Sequence, residues 1–202
     1  RTTWRSFLCA SPPELQEELE WAQSRPGSLF HLATLSDAPQ LAVEPGESEE
    51  SKAAKRELAA ELDVFWNKSA FTKALTFFEL QNLRNYVRFY EGDRVYRLGP
   101  YCMTHKQMSS ATHLHALIKN VGMLFSWPDL RWLTPVEVLM FQGFPIPKHV
   151  KAHGERTSFE VPRSTRSRRA MLEQAGNSMH VNVMGVAVLW ALSYVELEQP
   201  RS

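Results

Sequence analysis

The sequence predicts a mixed α/β fold in which helices outnumber strands. Apolar residues recur at helical spacing in several segments that begin at a capping residue, and one short run has the composition of a strand. Hydrophobic residues make up 44% of the 202 residues and charged residues 22%, as in an ordinary globular chain. A chain of this length can bury a sizeable core.

The first predicted helix begins after Ser11. This serine can cap the helix, Pro12 is tolerated in the first turn, and Glu14 suits the positive end of the helix dipole. Apolar residues then recur at helical spacing until Pro26 and Gly27 end the helix.

The next segment, residues 44–55, is rich in Glu, Ser and Lys and contains no large apolar residue. It predicts a surface loop or linker that grades into a helix over residues 53–62. A second amphipathic helix is predicted over residues 77–90. Its apolar set is Phe78, Leu80, Leu83, Val87 and Tyr90.

Residues 95–98 predict a short strand, which Gly99 and Pro100 would end. Residues 101–116 show no clean period and predict a loop with short strands.

Two further helices are predicted near the end of the chain. Thr134, Pro135 and Glu137 have the spacing of a capping box, and Gly143 would end that helix. The last helix is expected from Met179 to about residue 196. Because it is apolar almost all round, it should be buried between other elements, which requires protein around it.

Residues 131–145 and 174–179 resemble, in this order, the last two conserved motifs of the cytosine-5 DNA methyltransferases. The first motif alone could be a generic capped helix with a glycine stop, whereas the two together are much more specific. The matching positions are Leu133, Thr134, Pro135, Glu137, Gln142, Gly143, Phe144 and Pro145, then Gln174, Gly176, Asn177 and Ser178.

The resemblance implies a partial S-adenosylmethionine-dependent methyltransferase fold, made of the C-terminal helices and a target recognition region. Residues 71–130 would form the recognition-like region, and residues 131–202 the C-terminal motifs with a buried terminal helix. Residues 1–70 match no motif and are expected to be largely helical.

The resemblance also implies roles for single residues. Gly176, Asn177 and Ser178 would lie against the S-adenosylmethionine pocket. A helix beginning at Asn177 or Ser178 would present free amides to the carboxylate of the cofactor, although these residues could simply cap that helix. Architectural roles are expected for the first motif, namely for Arg131, Thr134, Pro135, Glu137, Gln142 and Gly143.

The catalytic groups that the family uses are missing from this sequence. Methylation of carbon 5 requires a thiolate that adds to carbon 6, and the family's cysteine follows a proline. Neither Cys9 nor Cys102 follows a proline, Glu-Asn-Val does not occur, and the nine glycines form no Gly-x-Gly. We therefore expect no catalytic residue here. The chain begins with Arg1, which favours a fragment whose catalytic half is supplied in cis or in trans.

Two polar segments are candidates for nucleic-acid contact, although the net charge of +1 gives no indication for the whole chain. Thr104, His105 and Lys106 could read bases or phosphates, or could form an ordinary polar loop. The run that contains Arg163, Arg166 and Arg168 holds four arginines in residues 163–169. It could contact phosphates or form a solvated face.

The remaining signals favour structural roles. The spacing of Cys102, His105, His113 and His115 matches no common zinc site, so no metal is expected. Phe125, Trp127 and Trp132 are expected in the core rather than as stacking platforms.

The cysteine content fits a reducing compartment, hence an intracellular location, nuclear in a eukaryote. No membrane partner is expected, since the most apolar run, residues 181–195, is too short to span a bilayer. The expected partner is DNA. Transfer RNA, a non-catalytic nucleic-acid-binding or complementing module, and a decayed remnant without function stay open as alternatives.

Overall fold

A computed structural model describes residues 8–90, 94–98, 123–144, 168–177 and 181–193. The predicted mixture of helices and strands is confirmed, and the strands form a small antiparallel sheet. The chain divides into two compact units. The first comprises Arg1–Ala116 and Gly122–Thr134, and the second comprises Leu117–Val121 and Pro135–Ser202.

The described part of the first unit contains four helices, two short 3₁₀ turns and the sheet. These elements are α1 (Pro12–Gln23), 3₁₀ turns at Leu35–Asp37 and Pro39–Leu41, α2 (Glu49–Trp66), α3 (Ala70–Lys73), α4 (Phe77–Phe89), β1 (Val95–Leu98), β2 (Met123–Ser126) and β3 (Arg131–Trp132). The described part of the second unit contains α5 (Pro135–Phe141), α6 (Arg168–Asn177) and α7 (Val181–Leu192).

Helix α1 begins where the sequence predicts. The backbone amide and the hydroxyl of Ser11 donate to the Glu14 carboxylate at 2.7 and 2.6 Å. Pro12 occupies the first helical position, and the helix ends at Gln23, shortly before Gly27, whose φ is +76°. A capping serine and a left-handed glycine therefore define this segment locally.

Helix α2 begins earlier than predicted, so the interpretation of residues 49–52 as a loop was wrong. The Ser48 hydroxyl accepts a hydrogen bond from the Ser51 amide at 3.2 Å. Glu49 and Glu50 occupy the first turn, where the positive end of the dipole favours carboxylates. Glu, Lys and Ala are good helix formers even where no apolar face is present, which explains the early start.

Helix α4 confirms the predicted segment but buries a different phenylalanine. Phe77 is 5% exposed and Phe78 is 55% exposed, so the placement of Phe78 in the apolar set was wrong. Phe77 lies three residues before Leu80 and therefore shares the face that Leu80 and Leu83 bury.

The sheet has the order β1-β2-β3, with both neighbouring pairs antiparallel. Phe125 pairs with Trp132, and both are fully buried, which confirms their expected place in the core. Tyr96 stacks on Tyr86 with ring centroids 5.2 Å apart and donates its hydroxyl to the Tyr90 carbonyl at 3.0 Å. Burial raises the pKa of Tyr96 to about 12.

The turn between β2 and β3 is held by contacts from both sides. The Ser69 hydroxyl donates to the Leu130 carbonyl at 2.8 Å, and the Trp127 amide donates to the Arg94 carbonyl at 3.0 Å. Leu130 has a φ of 49°, in the left-handed region that a branched side chain rarely adopts. Trp127 is half-buried in this turn and so lies at the edge of the core rather than within it.

A half-buried ion pair ties the end of α1 to the start of α4. The Arg25 guanidinium donates to both carboxylate oxygens of Glu79 at 2.8 Å and to the Ala74 carbonyl at 3.2 Å. Its charged carbon lies 4.9 Å from the centre of the Trp21 ring. The same Glu79 carboxylate accepts from the Thr76 amide at the start of α4.

Candidate site formed by the C-terminal motif segments

Helix α5 carries the first motif and has the predicted limits. It begins at Pro135, after the buried Thr134, and Glu137 within it is fully buried. Gly143 has a φ of 79°. The Phe144 amide donates to the Leu139 carbonyl at 3.3 Å, and the Gly143 amide to the Met140 carbonyl at 2.9 Å. This is the bonding pattern of a Schellman end, which requires a left-handed residue and therefore favours glycine.

Helices α5 and α6 pack against each other, and a hydrogen bond joins the two motifs. The Gln142 side-chain amide donates to the Ala175 carbonyl at 2.9 Å, and both residues are buried. Ala175 lies among the last four residues of α6, whose carbonyls have no acceptor role within the helix. Gln142 therefore caps the end of the helix that carries the second motif.

The sequence did not reveal Ala175 as a hydrogen-bond partner. Alanine has no polar side chain, so it takes part in this hydrogen bond only through its backbone carbonyl. No pattern of residue types in the sequence indicates which backbone carbonyl will accept such a bond. The signal that could have indicated it is its place in the last turn of a helix, where free carbonyls need donors.

Gly176 and Asn177 lie elsewhere in the secondary structure than predicted. They are the last two residues of α6, and α7 begins at Val181, so Asn177 does not begin the last helix. The end of a helix carries partial negative charge and free carbonyls. A backbone of this kind suits a hydrogen-bond donor or a cation rather than the carboxylate that the sequence argument invoked. Ser178 lies outside the described residues.

Helix α7 is apolar, as predicted, but it is not buried. Six of its large apolar side chains are between 48% and 70% exposed, and they are Val183, Val186, Val188, Leu189, Trp190 and Leu192. The expectation of a buried terminal helix was therefore wrong within the described part of the chain. These positions occupy more than half of the helix circumference, so a single neighbouring helix could not cover them.

No helix among the described residues combines the length and the apolar character that crossing a membrane requires.

Arg131, at the start of the first motif, lies in β3. Its guanidinium donates to the Trp132 carbonyl at 3.1 Å, a contact along the strand itself. Arg97 in β1 is half-buried, and burial lowers the pKa of its guanidinium. Both arginines therefore belong to the sheet of the first unit rather than to the pair of motif helices.

Of the remaining predicted site residues, only some lie within the described ranges. Arg168 is the first residue of α6, so the basic run leads directly into this helix. Within the ranges that the structure describes, no group of three or more histidine, cysteine or acidic residues could hold a metal ion. Outside those ranges lie Cys102, Thr104, His105, Lys106, His113, His115, Arg163 and Arg166.

Comparison of the chain with protein-family models, with curated proteins and with solved structures gave no significant match.

Proposed function

We propose that this chain is the C-terminal part of a methyltransferase that uses S-adenosylmethionine to methylate carbon 5 of cytosine in DNA. The observation that carries the proposal is the hydrogen bond from Gln142 to Ala175. It joins the two segments that resemble the family's last two motifs, across 33 residues of sequence. The two segments would belong to one site if both are motifs of the family, and their direct packing supports this.

The chemistry requires more than this chain supplies. A thiolate must add to carbon 6 before carbon 5 can attack a methyl group, and the target base must leave the duplex to be reached. Cys9 is an exposed thiol that precedes α1 and follows Leu8 rather than a proline. The nucleophile, the carboxylate that pairs with the ring and most of the cofactor pocket therefore come from a catalytic half in cis or in trans.

The part assigned to Gly176, Asn177 and Ser178 is one edge of the cofactor pocket. S-adenosylmethionine, when bound, supplies a methyl group on a positively charged sulfur. The negative end of α6 would favour the cationic and amino groups of that molecule. Gly176 has no side chain to keep a ligand from the backbone.

Helix α7 provides independent support for a missing half. Full burial of a valine, leucine or larger side chain contributes about 1.5–3 kcal/mol, so covering the six exposed residues would contribute on the order of 10 kcal/mol. Because these residues surround most of the helix, the covering region must present more than one element. A catalytic half with a sheet and further helices is such a region.

Methyl transfer tests the proposal. A longer product of the same gene that includes the upstream catalytic segment should transfer tritiated methyl groups from S-adenosylmethionine to cytosine in DNA, while the chain alone should transfer none. Gln142→Ala in the longer product should reduce transfer, because it removes the cap of α6. Gln16→Ala should not, since Gln16 is exposed and donates to Glu20 within α1. Transfer by the isolated chain, or none by the longer product, would contradict the proposal.

The cofactor assignment has its own test. Asn177→Ala in the longer product should raise the dissociation constant for S-adenosylmethionine more than it weakens binding to DNA. Equal effects on both would assign Asn177 a structural role alone.

Exposure of α7 also fits a second candidate function, a non-catalytic module that complements a separate catalytic chain. In that case the gene should encode no catalytic segment upstream. The purified chain should then co-elute with the separate catalytic chain in size-exclusion chromatography. Replacing Leu189 and Trp190 by serine should abolish the co-elution, because it removes apolar contact area.

A further inference from the structure

Two of the four lysines in the described ranges differ from the others in their surroundings. Lys52 pairs with Glu49 at 2.6 Å and Lys55 with Glu47 at 2.9 Å. Lys68 precedes the short helix α3 and Lys73 is its last residue, and neither makes an ion pair with a carboxylate of the described residues. Residues 64–78 contain these two lysines and no acidic residue, so this stretch carries a net positive charge.

Each of these two lysines lies over a tryptophan ring instead. The Lys68 ammonium is 5.5 Å from the centre of the Trp127 ring, and the Lys73 ammonium is 5.1 Å from that of Trp66. Such contacts contribute about 0.5–1 kcal/mol at exposed sites. They restrict the side chains without occupying the N–H donors of the ammonium groups.

The rings and the backbone around these lysines are themselves held in place. Trp66 is buried and donates its indole N–H to the Lys73 carbonyl at 3.2 Å, and Phe65 packs on Trp127 with centroids 5.8 Å apart. The Ser69 hydroxyl accepts from the Thr72 amide at 3.1 Å, which caps α3.

The same Ser69 hydroxyl donates to the Leu130 carbonyl, which ties α3 to the turn that carries Trp127. Both ammonium groups therefore project from fixed structure and lose less conformational entropy when they bind an anion.

We propose that Lys68 and Lys73, with the edge of Trp127, form a lysine–tryptophan surface that binds phosphate groups of a nucleic-acid backbone. A lysine ammonium is a compact charge with three donors and no required orientation, which suits contact with successive phosphates. The choice of nucleic acid over an acidic protein rests on the proposed function. These residues are different from those of the arginine run and from residues 104–106.

The salt dependence of DNA binding tests the surface. Fluorescence anisotropy of a labelled DNA duplex would be measured with the whole chain over a range of salt concentrations. Each phosphate contact contributes about 0.9 to the slope of log K against log salt concentration. We expect Lys68→Gln/Lys73→Gln to lower the slope by about 1.8, and Lys68→Arg/Lys73→Arg to retain it. Circular dichroism would establish that each variant is folded.

The matched control is Lys52→Gln/Lys55→Gln, which removes the same charge from lysines that are already paired with carboxylates. Its slope should stay that of the unchanged chain. Equal falls in both double variants would indicate an effect of net charge alone and would overturn the proposal. An unchanged slope in the Lys68 and Lys73 variant, or no DNA binding at low salt, would overturn it as well.

An acidic protein partner predicts a different result. Binding of a labelled polyglutamate peptide would then depend on Lys68 and Lys73 while the DNA slope does not, and this outcome would also overturn the proposal. Failure of the proposed function is distinguishable. Suppose that the longer product transfers no methyl group and that the lysine variant has a lower salt slope for DNA binding. This result would support the lysine–tryptophan surface and contradict the proposed methyltransferase function. Methyl transfer by the longer product, together with an unchanged salt slope in the lysine variant, would contradict only the proposed surface.

Discussion

Replacement of Glu79 by glutamine should destabilise the first unit strongly, because it leaves the Arg25 charge without its partner. The two side chains are 17% and 9% exposed, so little water could replace the lost contact. The paired geometry is good, with both guanidinium–carboxylate hydrogen bonds at 2.8 Å. Glu79 also accepts from the Thr76 amide, so the substitution weakens the start of α4 as well.

The expected loss is at the lower end of the range for a broken buried pair, which is about 3–5 kcal/mol. Arg25 keeps its hydrogen bond to the Ala74 carbonyl and its position over Trp21, which offset part of the loss. Its buried Nε has no hydrogen-bond partner among the described residues, so within them the guanidinium is incompletely satisfied even in the intact pair. We therefore expect about 3 kcal/mol for Glu79→Gln.

Urea unfolding followed by tryptophan fluorescence measures this change. Four described tryptophans, at positions 21, 66, 127 and 132, belong to the first unit and report on it. Arg25→Met/Glu79→Gln should recover much of the stability, because no charge is then left unpaired. A coupling energy below about 0.5 kcal/mol in the double-mutant cycle would show that the two residues act independently and would refute the reasoning.

Three further predictions concern single residues. Leu130→Val should cost about 1–2 kcal/mol more than Leu130→Gly in urea unfolding, since only glycine adopts the left-handed φ without strain; equal losses would contradict this. Gln142→Ala should cost about 1–3 kcal/mol by leaving the Ala175 carbonyl without a donor, and hydrogen exchange should report faster exchange in α6. Tyr96 has a folded pKa of about 12 against an ordinary value of 10.0, so it stabilises the fold fully below pH 10. That contribution is lost as pH rises to about 12, and Tyr96→Phe should show a smaller loss over this interval.

The elements predicted correctly are those whose limits depend on a few neighbouring residues. Ser11 with Glu14 defines the start of α1, and Gly143 defines the end of α5, because caps and left-handed glycines act within one helical turn. Residues 95–98 were likewise recognisable as a strand from composition and from the glycine and proline that follow.

The features that were not predicted depend on contacts between residues distant in sequence, or on which face of a helix is turned towards the core. Whether Phe77 or Phe78 is buried follows from the face that α4 turns to the core, which a run of two phenylalanines leaves open. The bond from Gln142 to Ala175 joins residues 33 apart through a backbone carbonyl, which has no signature in the sequence. The burial of α7 could not be deduced from its composition, because an apolar helix is buried only where other elements cover it.

The exposed surface of α7 has a consequence for the protein before it reaches a partner. Monomeric proteins rarely present large contiguous apolar patches, and such patches promote self-association. A chain that displays valine, leucine and tryptophan side chains on most of one helix should therefore aggregate in a concentration-dependent way and should attract chaperones. Its abundance in a cell would then follow the supply of whatever covers α7, since unassembled copies would be removed by quality control.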